Sequence, residues 1–144
     1  MTLVDANLLL YAHDPRATQH EASRRWLEGV LSGRELVGFA WLTLWAFLRI
    51  STNPRVYERP LSIDEAEELL ESWLARPMVR VLDPGERHWE ILRDLTRSGQ
   101  SAGPLVMDAA LAAIAIEHGA TLATTDRDFS RFDGLRWRNP LEPA

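Results

Sequence analysis

The chain lacks both cysteine and lysine: none occurs among its 144 residues, and all 16 basic residues are arginine. The absence of cysteine excludes disulfide bonds, thiolate zinc sites and cysteine nucleophiles, and it agrees with a reducing compartment. The absence of lysine excludes lysine Schiff bases and the phosphate-binding lysine of P-loop enzymes. The enzyme classes that remain must therefore use carboxylates, hydroxyls, histidine, arginine or a bound cofactor.

Long apolar runs are also missing, since no segment approaches the roughly 18 uninterrupted apolar residues of a membrane helix. The N-terminus lacks the basic start, apolar run and cleavage site of a secretory signal peptide, so we expect a cytoplasmic protein without a membrane segment. The length suits one domain, and we expect residues 1–144 to form it. The net charge of −5 argues against a surface covered in positive charge for duplex DNA, but not against a local groove.

Short β-rich runs alternate along the chain with longer amphipathic segments. This alternation predicts an α/β fold in which a central, mostly parallel sheet of about five strands lies between two layers of helices. The predicted strands are 2–5, 36–40, 79–82, 121–125 and 135–137, and the predicted helices are 20–31, 42–51, 62–75, 84–97 and 104–118. In such sheets, functional groups gather beyond the carboxyl ends of the strands.

Three aspartates stand at positions where this fold gathers functional groups. Asp5 and Asp126 each follow the core of a predicted strand, and Asp108 interrupts the apolar segment "GPLVMDAALAAIAIEHG". Because Pro104 suits the first turn of a helix, the cap is expected near residues 101–103, and Asp108 should lie a turn inside the helix. A carboxylate in apolar surroundings is costly unless it is paired or bound to a cation, so we interpret Asp108 as functional.

Converging carboxylates repel one another, and each resists ionisation unless a divalent cation shares the charge. Oxygen ligands of this kind suit Mg²⁺ or Mn²⁺, which keep coordinated water and bind phosphate oxygens. The three acids therefore predict metal-dependent hydrolysis of phosphodiester bonds without a protein nucleophile. Haloacid-dehalogenase-like phosphatases and phospho-receiver domains are disfavoured because both classes need a lysine.

The ordered set of segments resembles PIN-domain ribonucleases, and specifically the toxin subunit of VapBC-type toxin–antitoxin pairs. The resemblance rests on "LVDANLLLYA", "WAFLRISTNPRVYERPLS" and "VMDAALAAIAIEHGATLATTDRDFSRFDGLRWRNPL", and it extends over nearly the whole chain. It implies a PIN-like three-layer fold, an Mg²⁺- or Mn²⁺-dependent endoribonuclease that acts as a toxin on RNA, a homodimer and a VapB-type antitoxin. Two alternatives stay open: a solitary PIN nuclease that processes RNA, and a degenerate PIN domain that only binds.

The resemblance also assigns roles to individual residues. Asp5, Asp108 and Asp126 match the acids that hold the metal in PIN domains. Asn7 and Thr125 match polar positions that support those acids. The expected catalytic residues are Asp5, Asp108, Asp126 and Asp128, of which the first three bind the metal, and Asn7, Arg49 and Thr125 are expected to support them or to contact the substrate.

Some of these positions and their neighbours allow more than one interpretation. Asp128 matches a further acid of the site, or it caps the turn "DFSRF". Arg49 belongs to the "FLR" element, where its guanidinium could hold a phosphate or pair with a site acid. Ala46 stands where many members have glutamate, which implies weaker cation binding or reliance on Asp128 and water. Trp41 and Trp45, one helical turn apart, are interpreted as core or interface, and the resemblance places the antitoxin groove beside them.

Overall fold

The computed structural model describes residues 1–143, which form five β-strands, six α-helices and one short 3-10 helix. The strands are β1 (Thr2–Val4), β2 (Val37–Ala40), β3 (Val79–Leu82), β4 (Thr121–Ala123) and β5 (Trp137–Arg138). The helices are α1 (Ala6–His13), α2 (His20–Leu31), α3 (Trp41–Ser51), α4 (Ile63–Leu74), α5 (His88–Ser98) and α6 (Leu105–Glu117), and the 3-10 helix is Arg127–Arg131.

The five strands form one sheet in the order β3-β2-β1-β4-β5, and every neighbouring pair is parallel. Strand β1 lies in the centre, with Thr2 in register with Val37 of β2 on one side and with Thr121 of β4 on the other. The chain leaves β1 towards β2 and later returns to its other side, so the order reverses at the centre. A crevice therefore opens beyond the carboxyl ends of β1 and β4.

The two faces of the sheet bury different helices because successive strand side chains point to opposite sides. Leu3 and Leu122 pack with the residues of α5 and α6 on one face. Val4 and Ala123, one residue further along, pack with α1 to α4 on the other. This arrangement confirms the predicted three-layer α/β fold with a parallel central sheet.

Helix α1 is the one helix that the sequence patterns did not predict. Its buried residues include three consecutive leucines, Leu8 to Leu10, which give no helical alternation of apolar and polar positions. The residue before it, Asp5, was expected to end β1 but instead caps α1 by accepting a hydrogen bond from the Ala6 amide. The other five predicted helices are present, with ends that differ by at most a few residues.

Across residues 1–143, every helix falls short of the length or the apolar character that crossing a bilayer demands.

Gly38 of β2 packs closely against the side chain of Leu82 in β3. A Cβ atom built on Gly38 would lie 2.7 Å from Leu82 Cδ1 and 3.0 Å from Leu82 Cγ. We therefore expect Gly38→Ala to lower the free energy of unfolding by about 1–3 kcal/mol through overpacking, as measured by urea denaturation. The loss should shrink when Leu82→Ala is added, because the clashing atoms are then absent.

Gly29 provides the matched control, because it lies within α2 and a Cβ there would meet no heavy atom within 4 Å. Gly29→Ala should raise the stability by up to about 1 kcal/mol through helix propensity. Equal losses in Gly29→Ala and Gly38→Ala would contradict the packing explanation.

Candidate active site

A cavity of about 290 Å³ opens at the carboxyl edge of the sheet, between α1, α3 and α6. Parallel strands place their following residues at this edge, so the starts of all three helices converge on it. The residues that line the cavity are Asp5, Ala6, Leu42, Thr43, Trp45, Ala46, Arg49, Met107, Asp108 and Leu111.

Asp5 directly follows the central strand and is held in place by hydrogen bonds to Ala123, Ala6 and Thr124. Its amide donates to the Ala123 carbonyl at 3.0 Å. Its carboxylate accepts from the Ala6 amide at 2.8 Å and from the Thr124 hydroxyl at 2.7 Å. Burial raises the pKa of Asp5 above its ordinary value, the two hydrogen bonds oppose that rise, and the charge of Asp126 adds to it.

Thr124 joins two of the predicted acids, and the sequence analysis did not identify it. Its hydroxyl donates to Asp5 Oδ2 at 2.7 Å and accepts from the Asp126 amide at 3.0 Å. Thr124 is fully buried, whereas its neighbour Thr125 is half-buried and makes no side-chain hydrogen bond to these acids in the described part of the chain. No local pattern distinguished the two threonines, because both follow β4 directly. The supporting role of Thr125 stays a prediction.

Asp126 occupies the start of the 3-10 helix that follows β4. Its carboxylate accepts a hydrogen bond from the Asp128 amide at 2.8 Å and so caps that helix. The interpretation of Asp128 as the cap of this turn is therefore wrong, because Asp126 fills that position. The side chain of Asp128 is exposed beside the site.

Asp108 lies in the first turn of α6, and not a full turn inside it as the sequence analysis expected. The helix begins at Leu105 after Pro104, which has no polar side chain to cap it. A helix N-terminus favours a carboxylate, but burial and the charges of neighbouring acids outweigh this effect. The pKa of Asp108 rises to about 6, first because of burial and then because of Asp126, Asp5 and Asp128, with Arg131 opposing the rise.

Two observations bear differently on whether these acids could hold a divalent cation. Over residues 1–143, no three acidic or histidine side chains converge closely enough to form a ready-made ion site. Yet burial first, and then the charges of three other carboxylates, raise the pKa of Asp108. The carboxylates of Asp5 and Asp126 are turned towards local hydroxyl and amide donors and not towards one common point. Hard oxygen donors with shared, uncompensated charge fit Mg²⁺ or Mn²⁺.

Helix α3 supplies the wall of the cavity opposite the acids. Arg49 is exposed, and none of the ion pairs within residues 1–143 involves it, so pairing with a site acid is not realised. Ala46 lines the same wall, so α3 presents only a methyl group at this position. Asn7, in the first turn of α1, is half-buried next to the cavity residue Ala6.

The two tryptophans of α3 are largely exposed. Trp41 is 43 % and Trp45 is 62 % exposed, so the core interpretation is wrong for both. Met107 of α6 is 55 % exposed and lines the cavity together with Trp45. An apolar rim defined by Trp45 and Met107 thus borders the acidic cavity.

Comparison with known proteins finds a matching family model and similar ribonucleases. The family model described as "PIN domain" matches residues 2–135. Ribonuclease VapC37 of Mycobacterium tuberculosis is 47% identical over 141 residues, which make up 97% of each chain. Ribonuclease VapC43 of the same organism is 40% identical over 142 residues, or 99% of this chain and 97% of the relative.

Solved structures share the fold at much lower sequence identity. VapBC2 from Rickettsia felis, bound to a DNA fragment from its promoter, matches with a TM-score of 0.70 at 19% identity and covers 96% of this chain and 97% of that chain. Mycobacterium tuberculosis VapC20, a sarcin-ricin loop cleaving toxin, matches with a TM-score of 0.66 at 18% identity and covers 94% of this chain and 99% of that chain.

Thr124→Val should weaken the site and the fold together. The substitution removes the hydroxyl that bonds Asp5 and leaves the Asp126 amide without its acceptor. We expect the free energy of unfolding in EDTA to fall by about 1–3 kcal/mol and the pKa of Asp5 to rise further. Urea denaturation and carbonyl NMR titration measure the two effects. Thr125→Val is the control and should change the stability by no more than about 0.5 kcal/mol; a larger loss there than at Thr124 would contradict this assignment.

Asp108→Asn should stabilise the metal-free protein in a pH-dependent way. The folded state raises the pKa of Asp108 from 3.8 to about 6, so the ionised carboxylate costs stability that is absent below the lower value and complete above the higher one. The melting temperature in EDTA should therefore rise in the variant at pH 7.5 and stay unchanged near pH 3.5. The exposed Asp94 of α5 is the control, and Asp94→Asn should show no such pH dependence. A gain of equal size at both pH values would contradict the electrostatic cause.

Proposed function

The chain belongs to the PIN-domain family, and from this premise we propose that it is an Mg²⁺- or Mn²⁺-dependent endoribonuclease, the toxin of a VapBC-type toxin–antitoxin pair. The observation that carries the proposal is that Asp5 and Asp108 line one cavity at the carboxyl edge of the sheet, with Asp126 joined to Asp5 through the Thr124 hydroxyl. The relatives named as VapC ribonucleases agree with the reaction.

In this proposal, Asp5, Asp108 and Asp126 would hold the cation, and a cation held there would supply an activated water and neutralise charge on the phosphate. Thr124 keeps the Asp5 carboxylate and the Asp126 backbone together through its two hydrogen bonds. Asp128 contributes further negative charge from its exposed position. Asn7 and Thr125 support the acids, as in the family pattern.

In this proposal, the RNA substrate binds against the cavity wall that α3 forms. Arg49 lines the cavity with an unpaired guanidinium within the described residues, and a guanidinium holds phosphate through paired N–H donors. A small cavity beside such a group suits a splayed nucleotide better than a duplex. We propose that the substrate is a structured RNA with an unpaired loop, since proteins recognise RNA sequence mainly at exposed loop bases.

A VapB-type antitoxin would cover the same region. The apolar rim of Trp45 and Met107, with Trp41 beside it, is exposed next to several carboxylates. A partner segment with apolar residues for the rim and an arginine or lysine for the acids fits this combination. We propose that residues 1–144 act as a single PIN domain, in a homodimer, and in the cytoplasm where RNA is present.

Two other functions compete with this one. Ala46 leaves α3 without an acid at the cavity wall, which favours a degenerate PIN domain that binds without cleaving. A solitary RNA-processing PIN nuclease would cleave RNA but would have no antitoxin. An RNA cleavage assay distinguishes the binding-only domain from the toxin. Growth of the host distinguishes the solitary nuclease from the toxin.

Purified protein should cleave total RNA in Mg²⁺ or Mn²⁺ but not in EDTA. Asp5→Asn should reduce the rate by at least about a hundredfold, because it weakens the cation site and its hold on the attacking water. Asp94→Asn, at an exposed position on α5, is the matched control and should cleave at the wild-type rate. Undiminished cleavage in EDTA or in Asp5→Asn would overturn the catalytic proposal.

Expression of the chain alone in a bacterial host then tests the biological role. The toxin hypothesis predicts that the wild-type chain arrests growth and that Asp5→Asn relieves the arrest. Soluble, folded protein must be verified in both cultures. Normal growth with active enzyme would favour the solitary nuclease. Normal growth with folded but inactive protein would favour the binding-only domain.

A further inference from the structure

Thr43 carries a buried hydroxyl that has no partner within residues 1–143. Its side chain is 1 % exposed, and its Oγ1 atom makes no hydrogen bond there. The residue lines the cavity together with Asp5 and Asp108. Buried hydroxyls are nearly always hydrogen-bonded, because an unpaired one costs free energy. An unpaired hydroxyl in a cavity wall therefore points to a ligand that supplies the missing partner.

The position of Thr43 in its helix indicates the charge of that ligand. Strand β2 ends at Ala40 and α3 begins at Trp41, so Thr43 lies in the first turn of an 11-residue helix. The N-cap residue, Ala40, has only a methyl side chain and cannot accept from the first-turn amides. Free amides and the helix dipole favour an anion at this end.

The cavity thus has two chemically different walls. Asp5 presents its carboxylate from the N-cap of α1 and Asp108 from α6, whereas α3 presents hydrogen-bond donors, with Thr43 in its first turn and Arg49 further along. We propose that the Thr43 hydroxyl, with the uncapped end of α3, binds a non-bridging phosphate oxygen of the RNA backbone. This inference rests on the proposed ribonuclease function and adds a substrate-binding residue to it.

Thr43→Val separates this role from a structural one, because valine has the same shape and removes only the unpaired hydroxyl. A structural role predicts lower stability and no specific kinetic effect. The proposal predicts an equal or higher melting temperature in EDTA, because an unsatisfied polar group is removed. It also predicts that kcat/KM for RNA cleavage falls by about tenfold or more, the usual effect of losing a hydrogen bond to a charged group. Thr43→Ser retains the donor and should recover most of that loss.

Ser51 offers a matched control on the same helix. It is fully buried and its Oγ atom is likewise unpartnered, but it lies at the far end of α3, outside the cavity. Ser51→Ala therefore removes an equivalent hydroxyl and should leave cleavage unchanged. Reduced cleavage in both Thr43→Val and Ser51→Ala would assign the effect to helix packing and overturn the proposal.

RNA binding provides a readout that does not depend on cleavage. In the Asp5→Asn background with Mg²⁺, fluorescence anisotropy with a random-sequence single-stranded RNA should show weaker binding when Thr43→Val is added, and recovery with Thr43→Ser. Loss of cleavage in wild-type protein would refute the proposed function while this binding experiment still tests Thr43. Unchanged RNA affinity and unchanged kcat/KM in Thr43→Val, or a melting temperature several degrees lower, would overturn the inference.

Discussion

The hydrogen bond from the Thr124 hydroxyl to Asp5 is the contact on which the arrangement of the site depends. It joins the ends of the two strands that flank the crevice, and the same hydroxyl accepts from the Asp126 amide. Asp5 is thereby held close to Thr124 and Asp126, which lie 119 and 121 positions further along the chain. Because Thr124 is fully buried, water cannot substitute for it, and the geometry of the acids follows from the packing of the sheet.

The sheet topology explains why the acids meet at all. With β1 in the centre and β4 beside it, residues that follow these strands must emerge at the same edge, and α6 brings Asp108 to that edge from the layer above. The cost of this convergence appears in the pKa of Asp108, which burial and the neighbouring charges raise to about 6. The folded chain therefore retains repulsion that a site built only for stability would not contain.

Much of the fold could be predicted from the sequence because most elements carry a clear period. Five helices and five strands follow from alternating or helical apolar patterns, whereas α1 is buried along three consecutive leucines and shows no such pattern. The positions of Asp5, Asp108 and Asp126 near one edge of the sheet were also predictable, since each follows a strand or interrupts an apolar helix, and their metal-binding role stays a prediction. Thr124 was not, because two adjacent threonines end the same strand and only the side-chain direction decides which one contacts Asp5. The unpaired hydroxyl of Thr43 likewise depends on tertiary packing that no local pattern encodes.

The direct passage from β2 into α3 has a consequence for how such a site can diversify. Strand β2 ends at Ala40 and α3 begins at the next residue, Trp41. Likewise, Asp5 is the single residue between β1 and α1. Walls anchored in this way are preorganised, and they have little freedom to adapt by loop motion to ligands of different shape. Changes in selectivity must then arise by substitution at exposed rim positions such as Trp45 and Met107, which can vary without disturbing the sheet. Among proteins with this arrangement, we therefore expect more amino-acid substitutions at the rim than in the cavity walls.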